Sequence, residues 1–424
     1  MMIAEIVSTG TEICQGKYPD TNAQFLSKEL TTLGVKVNWH TATLDDADLL
    51  RDVLDRATRR ANLVIMTGGL GPTEDDLTRD ILAELSGSEL IEDPKVLETI
   101  AARFRRRGYV MNPSNRRQAM VPRAATVLAN DWGTAPGVMI EVPRGPGQSS
   151  VLVALPGPPR EMRPMFEQRA RPLLTERLGL RPQIRILDIH TCFRPESQLN
   201  EVLRDLFGAD PRVTVALLAN IGQVDVRLTA QETTEVKRDE ALESFRRKVV
   251  ERIGEEDVYG YDDNTLESVV GHLLKQRNMT IALAESCTGG LAAKRLTDIS
   301  GSSAYFLEGF VTYSNEAKVK RLEVAPSLIE RDGAVNEAVA RAMAEGARRV
   351  SGATLGGAIT GVAGPTGGTA AKPVGMVCVA LATPSQTLAN TTVYSGDRDL
   401  VRNQSVNRVL DMARRWLIAK KSDT

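Results

Sequence analysis

Apolar residues come in short runs along this chain, each followed by a stretch of helical periodicity. Met2 to Ser8 has the pattern of a buried strand and leads into Thr9-Gly10-Thr11-Glu12. Asp20-Thr21-Asn22 then caps an amphipathic run from Ala23 to Leu33 that stops at Gly34. Val35 to Trp39 and Asn62 to Met66 read as a second and a third strand. Regular alternation of strand and helix predicts an α/β fold with a doubly wound, mostly parallel sheet and ligand loops at the carboxyl ends of its strands. The alternation returns in the last third. Met279 to Ala284 reads as a buried strand ending in Glu285-Ser286-Cys287-Thr288-Gly289-Gly290, and Leu291 to Thr297 has helical spacing. Phe306 to Tyr313 is strand-like, and the apolar strand Leu355 to Thr360 opens into the glycine-rich loop Gly361 to Gly368.

Between these halves, Arg171-Pro172 and Leu178 to Pro182 mark a boundary. Gln183 to Thr191, Pro195 to Phe207, Arg212 to Leu218, Gln223 to Gln231 and Glu235 to Ile253 follow as strand, helix, strand, strand, helix. The expected organisation is an N-terminal domain over 1–170, a small α+β domain over 171–258 that serves as a spacer or dimer contact, and a C-terminal α/β domain over 259–424.

In the last domain, Gly301-Ser302-Ser303, Tyr313 and Lys318 bring a hydroxyl nucleophile, a phenol and an amine close together in sequence. The chain has only three histidines, His40, His190 and His272, and none lies beside a glycine-rich loop, so a serine here needs lysine as its base. Ser314 or Asn315 caps the next helix and sets Lys318 in its first turn, where the positive end of the helix dipole lowers an amine pKa. The alternative is a solvated surface lysine beside an ordinary turn. The junction after Glu285 is expected to offer backbone N–H groups to an anion or oxyanion. Cys287 in that junction is either a thiolate nucleophile or, with no histidine near it, a packed small residue.

In the first domain, Thr67-Gly68-Gly69-Leu70-Gly71 ends a strand and Pro72-Thr73-Glu74-Asp75-Asp76 opens a helix. Glycines beside a helix start suit a phosphate. Carboxylates there serve equally as ordinary caps, but beside a phosphate they need a divalent cation such as magnesium to bridge them. Glu12, Asp45 and Asp46 sit near other strand ends and complete such a shell.

The length of 424 residues at 42 % hydrophobic composition allows several cores. A net charge of −1 gives no general field for nucleic acid, and no apolar run approaches the length of a membrane span. Cys14, Cys192, Cys287 and Cys378 are scattered, as reduced thiols are. Met2 to Ser8 lacks the charged flank of a signal peptide. These features predict a cytoplasmic enzyme with no membrane and no direct nucleic-acid partner.

Several motifs resemble a known family. Ala284 to Gly290, Gly301 to Ser303, Phe310 to Lys318, Thr360 to Gly368, Lys372 to Gly375 and Ser395 to Arg398 resemble the C-terminal domain of the CinA family, a nicotinamide mononucleotide deamidase also found alone as PncC. Thr9 to Glu12, Asp20 to Asn22, Thr67 to Asp76 and Leu155 to Met162 resemble its N-terminal domain, itself similar to the molybdopterin-binding domains of molybdenum cofactor synthesis. The family places a KH-like domain between the two, although a Gly-x-x-Gly clamp for RNA is missing here. The resemblance implies hydrolysis of the carboxamide of nicotinamide mononucleotide to a carboxylate and ammonia, without a metal. It puts the nucleophile on Ser303, with Ser302 open as the alternative from residues alone, and the other catalytic positions on Tyr313 and Lys318. Glu285, Ser286, Thr288, Gly289, Ser302, Thr360, Gly361, Gly364, Arg398 and Arg402 are the substrate contacts that follow.

For the first domain, the resemblance implies an ADP-ribose pyrophosphatase dependent on magnesium, manganese or cobalt. Asp75, Asp76, Glu12 and Asp45 would be its metal ligands, and Thr11, Asn22, Gly68, Gly69, Gly71 and Thr73 its nucleotide contacts. Ile13-Cys14-Gln15 and Lys17-Tyr18-Pro19 depart from the family pattern in the first loop. A homodimer is expected. Two other readings stay open: a deamidase whose first domain only binds a pterin or nucleotide, and a non-catalytic accessory protein of DNA uptake or damage response.

Overall fold

A computed structural model describes residues 2–182, 184–220, 222–232 and 234–419. Residues 1–185 with 231–238 form one compact unit, and 186–230 with 239–424 a second.

The first unit is built on β1 (Ile3–Thr9), β2 (Lys36–Thr43), β3 (Leu63–Thr67), β4 (Leu90–Glu92), β5 (Met120–Pro122), β6 (Thr126–Leu128), β7 (Gly137–Gly145) and β8 (Gln148–Leu155). Six of these make a sheet in the order β2-β1-β3-β8-β7-β6, while β4 and β5 pair separately. The first four of the six run parallel, and β7 and β6 add an antiparallel edge. Leu63 to Met66 and Leu152 to Leu155 are wholly buried because helices cover both faces of the sheet. Leu26 and Leu30 of the helix Thr21–Thr32 pack on one face, and Leu50 and Leu54 of the helix Ala47–Arg60 on the other. Asp20 caps the first helix through the Ala23 N–H at 2.8 Å, as the Asp20-Thr21-Asn22 pattern predicts.

In the second unit β9 (Ile184–Cys192), β10 (Val213–Asn220), β11 (Gln223–Gln231) and β12 (Val258–Tyr261) form a sheet in the order β10-β11-β9-β12. The predicted strand, helix, strand, strand, helix order is present; Gln183, its expected first residue, lies outside the described residues. The sequence pattern missed β12, a four-residue strand with a central glycine, which closes the middle sheet across the expected boundary at 258.

The last sheet takes β13 (Ile281–Glu285), β14 (Phe306–Val311), β15 (Leu355–Gly361), β16 (Met376–Ala382) and β17 (Thr387–Val393) in the order β14-β13-β15-β16-β17. β13 runs parallel to both β14 and β15, so three carboxyl ends open on the same edge. One face carries the helix Glu337–Ser351, whose Ala344 and Ala347 sit close to Ala282, Ala284 and Ala358. The other carries the helix Arg398–Ala419, whose Val406, Val409 and Leu410 meet Leu283 and Ile359. Small residues on the first face let helix and sheet approach closely. A Cβ at Gly356 would collide with the Ala344 carbonyl, a backbone group that cannot rotate away. Gly356→Ala is therefore expected to cost roughly 2–3 kcal/mol, read as a lower urea midpoint at unchanged slope.

Candidate active site

Strand β13 delivers Glu285 and Ser286 to the open edge of the last sheet. Glu285 is 1 % exposed, and its carboxylate turns into the start of the helix Leu291–Thr297. There it accepts from the N–H groups of Gly290 at 3.1 Å, Ala292 at 3.0 Å and Ala293 at 2.8 Å. The seat expected to receive an anion is thus filled by the chain's own carboxylate, and Glu285 is not a substrate contact. Ser286 stays in line with the sheet through its N–H to the Ile359 carbonyl at 3.0 Å. In the turn after it, the Thr288 N–H has no hydrogen-bond partner among the described residues, and the Cys287 N–H meets only its own thiol.

The base stands opposite. Ser314 caps the helix Asn315–Leu322 by accepting from the Ala317 N–H at 3.1 Å, which sets Lys318 one turn in, facing the sheet. Lys318 is 1 % exposed, and no carboxylate among the described residues pairs with it. Burial holds its amine below the ordinary lysine value, the dominant cause being loss of water around the charged form. Its Nζ lies 2.8 Å from the Thr312 carbonyl, 3.3 Å from the Tyr313 carbonyl and 3.0 Å from Ser286 Oγ. A neutral amine has two N–H donors and one lone pair. With the carbonyls taking the donors, the lone pair is left to accept the Ser286 hydroxyl proton.

Ser303 does not meet Lys318. Phe306 is level with Ile281 at the start of β13, whereas Val311 is level with Glu285 at its end. Ser302 and Ser303 lie in a 3-10 turn before Phe306, at the opposite edge of the sheet. A strand rise of about 3.3 Å per residue separates them from Lys318 by the length of the sheet, roughly 15–20 Å. Within one chain, therefore, Lys318 has Ser286 and not Ser303 as its hydroxyl neighbour, and Ser302 stands away from the edge where the substrate contacts were expected.

Most other expected residues do gather at this edge. Tyr313 is 63 % exposed, with its hydroxyl 3.4 Å from the Arg398 guanidinium, so its phenol stands at the rim and not between Ser286 and Lys318. Arg398 also donates to the Gly364 carbonyl at 2.9 Å, and Arg402 to the Thr288 carbonyl at 2.8 Å. Neutral acceptors take these contacts of Arg398, so its charge remains available at the mouth. Thr360 is buried and donates to the Ala334 carbonyl at 2.9 Å, which makes it a wall and not a free hydroxyl. Gly361 ends β15 and opens the glycine loop. Gly289, at a φ of 59°, turns the chain beside Arg402. Cys287 is buried, and burial lifts its thiol to about 11, which leaves it inert near neutrality.

In the first unit, Gly68 and Gly69 adopt φ values of 103° and 64°, and a Cβ on Gly157 would touch Gly68. Asn22 joins them by donating to the Gly157 carbonyl at 2.7 Å, which leaves its buried Oδ1 without a partner. Those residues form a cradle at the carboxyl ends of β3 and β8. The expected metal ligands do not fit it. Asp76 accepts from the Gly71 N–H at 2.6 Å and from the Thr73 N–H at 2.8 Å, and also from the Thr73 hydroxyl, and so holds the turn. Asp45 is likewise spent on the Thr9 hydroxyl at 3.0 Å and the Thr11 N–H at 2.9 Å. Glu12 and Asp75 remain exposed, and no three acidic, histidine or cysteine side chains converge among the described residues. Thr11 and Thr73 therefore act here as partners of Asp45 and Asp76.

Comparison with known proteins follows the same division. Residues 5–176 match the family described as "Probable molybdopterin binding domain", 189–260 the "Damage-inducible protein CinA KH domain", and 263–417 the "CinA C-terminal domain". A competence-damage inducible protein of Symbiobacterium thermophilum is 46 % identical over 98 % of this chain and 99 % of its own length. One from Acetivibrio thermocellus is 42 % identical over 99 % and 100 %. The chain belongs to the CinA family. Among solved structures, the competence/damage inducible protein CihA of Agrobacterium tumefaciens is 39 % identical, covering 37 % of this chain and 93 % of its own, at a TM-score of 0.35. The protein CinA of Thermoplasma acidophilum is 29 % identical, covering 40 % and 98 %, at 0.37. No helix among the described residues of this CinA chain is long and apolar enough to cross a membrane.

The Glu285 plug yields a direct test. Glu285→Ala strands three N–H groups at once and is expected to lower unfolding stability by roughly 3 kcal/mol or more. A chemical denaturation midpoint unchanged from the parent would show that the plug is not needed.

Proposed function

We propose that the C-terminal domain is an amidohydrolase that converts nicotinamide mononucleotide to nicotinate mononucleotide and ammonia. The observation that carries the reading is a buried lysine amine 3.0 Å from a serine hydroxyl, with two carbonyls beside it and no carboxylate partner among the described residues. Loss of water lowers the pKa of this amine, and in its neutral form it is a general base. Ser286 Oγ attacks the carboxamide carbon while its proton passes to Lys318 Nζ. The N–H groups of Cys287 and Thr288 face the developing oxyanion. Collapse breaks the C–N bond, and Lys318 returns the proton to the departing ammonia, leaving an ester on Ser286. Water then attacks that ester and gives one proton to Lys318; the ester C–O bond breaks, Lys318 returns that proton to Ser286 Oγ, and the carboxylic acid leaves and loses its own proton to solvent. Arg398, with Tyr313 beside it, supplies positive charge for the substrate phosphate at the rim. The same pair argues against a purely accessory role, since a buried amine of lowered pKa beside a serine hydroxyl is the arrangement a catalytic base needs.

A second reading concerns the first domain. Its glycine cradle and the orphaned Asn22 Oδ1 support binding of a phosphorylated nucleotide or pterin. An ADP-ribose pyrophosphatase there has the support of the family resemblance but not of a gathered ligand set. Phosphate-ester release from ADP-ribose that needs added magnesium and is lost in Asp75→Ala would establish turnover; binding without release would leave a carrier site.

For the amidohydrolase, ammonia release from nicotinamide mononucleotide is expected to fall by about a thousandfold or more in Ser286→Ala and Lys318→Ala, and to persist in Ser303→Ala. Loss in Ser303→Ala with retention in Ser286→Ala would reverse the assignment. Because the base acts when unprotonated, kcat/KM should rise with pH and level off below the ordinary lysine range. An ascending limb at that ordinary value would contradict a buried base.

A further inference from the structure

We infer that the second unit carries a separate binding site for an uncharged nucleoside. A cavity of about 380 Å³ lies between the middle sheet and the helices Leu266–Gln276, Leu291–Thr297 and Arg398–Ala419, and its lining includes none of Ser286, Lys318 and Arg398. Its volume falls within the roughly 300–1,000 Å³ typical of small-molecule sites.

The lining is chemically unusual. Tyr259 is 7 % exposed, its ring stacked on His190 at 5.4 Å, yet its hydroxyl has no partner among the described residues. Burial keeps that phenol protonated, and Tyr259 is part of the cavity lining, so a donor is on offer there. Three amides each have one end tied down and the other free. Gln223 donates to Cys192 Sγ at 3.8 Å, leaving Oε1; Asn403 donates to the Asp399 carbonyl at 2.9 Å, leaving Oδ1. Asn264 accepts the Tyr261 N–H at 3.0 Å, leaving its Nδ2. Amide donors and acceptors set side by side match the edge of a nucleobase, and the same groups accept and donate to ribose hydroxyls.

Charge excludes the phosphorylated form. Arg295, the cation of the lining, donates to Glu267 at 2.7 Å and to the side-chain Oδ1 of Asn407 at 2.7 Å. Both members of that ion pair are largely buried, so a phosphate entering the cavity would meet a neutralised guanidinium and the Glu267 carboxylate. The site therefore differs in kind from the active site, where Arg398 keeps its charge. It does not depend on the deamidase reading.

Isothermal titration of the full chain with adenosine and with AMP tests this. Adenosine is expected to bind once per chain at this cavity, at least about tenfold more tightly than AMP, and Asn403→Leu and Gln223→Leu should each weaken it about tenfold. Tyr259→Phe removes only one hydroxyl and serves if either variant fails to fold, as judged by circular dichroism. No heat from adenosine at about millimolar concentration, binding indifferent to these substitutions, or AMP binding as well as adenosine would each overturn the proposal. Ammonia release from nicotinamide mononucleotide, measured on the same samples, keeps this result separate from the fate of the active-site assignment.

Discussion

An amine taken out of water with no carboxylate beside it is the constraint around which the C-terminal domain is organised. No carboxylate among the described residues pairs with Lys318. Glu285, the nearest in sequence to Ser286, is turned into the helix Leu291–Thr297, where three N–H groups hold it. What remains around Nζ is two carbonyls and one hydroxyl, and it is the loss of water around the charged form that lowers its pKa. The cost of that burial falls on the fold, and the small-residue packing beneath the sheet is part of what offsets it.

Parallel topology explains why these groups meet. β13, β14 and β15 share a direction, so Ser286, Thr312, Tyr313 and Thr360 all emerge at one edge while Ser302 and Ser303 are left at the other. The helix Arg398–Ala419 then brings Arg398 and Arg402 to that edge, with contacts to the glycine loop and to the turn after Ser286. In the first unit the same rule puts Gly68, Asn22 and Gly157 together. The two cradles differ in how their carboxylates are used: Asp45 and Asp76 fix loops, whereas Glu285 fixes a helix.

Much of this was legible in the sequence. Alternation of apolar runs and amphipathic stretches identified the strands β1, β3, β13 and β15, and Ser314 marked the start of the lysine-bearing helix. Nearness along the chain and the family resemblance both point to Ser303 as the partner of Lys318, whereas the strand ends on which the two residues sit hold them apart. Ser303 precedes a parallel strand and Ser286 follows one, and chemistry in such sheets collects at the carboxyl ends. That signal lies in Ala284-Glu285-Ser286, where the sequence implies only a substrate contact for Ser286. Illegible in principle was the fate of the carboxylates: nothing in Asp75-Asp76 tells whether an oxygen will meet a cation or a backbone N–H, since both are local acceptor geometries. The strand β12 was lost because four residues carry too little periodicity to register.

The most direct measurement is an NMR titration of the Lys318 ε-amine, assigned by comparison with Lys318→Arg and followed through its ¹³Cε shift. The structure predicts a single midpoint well below that of the surface lysines, moving upward in Ser286→Asp as a carboxylate is placed beside it. A Lys318 midpoint coincident with the solvated lysines would mean that the amine is protonated where it sits, and the serine–lysine account would fail.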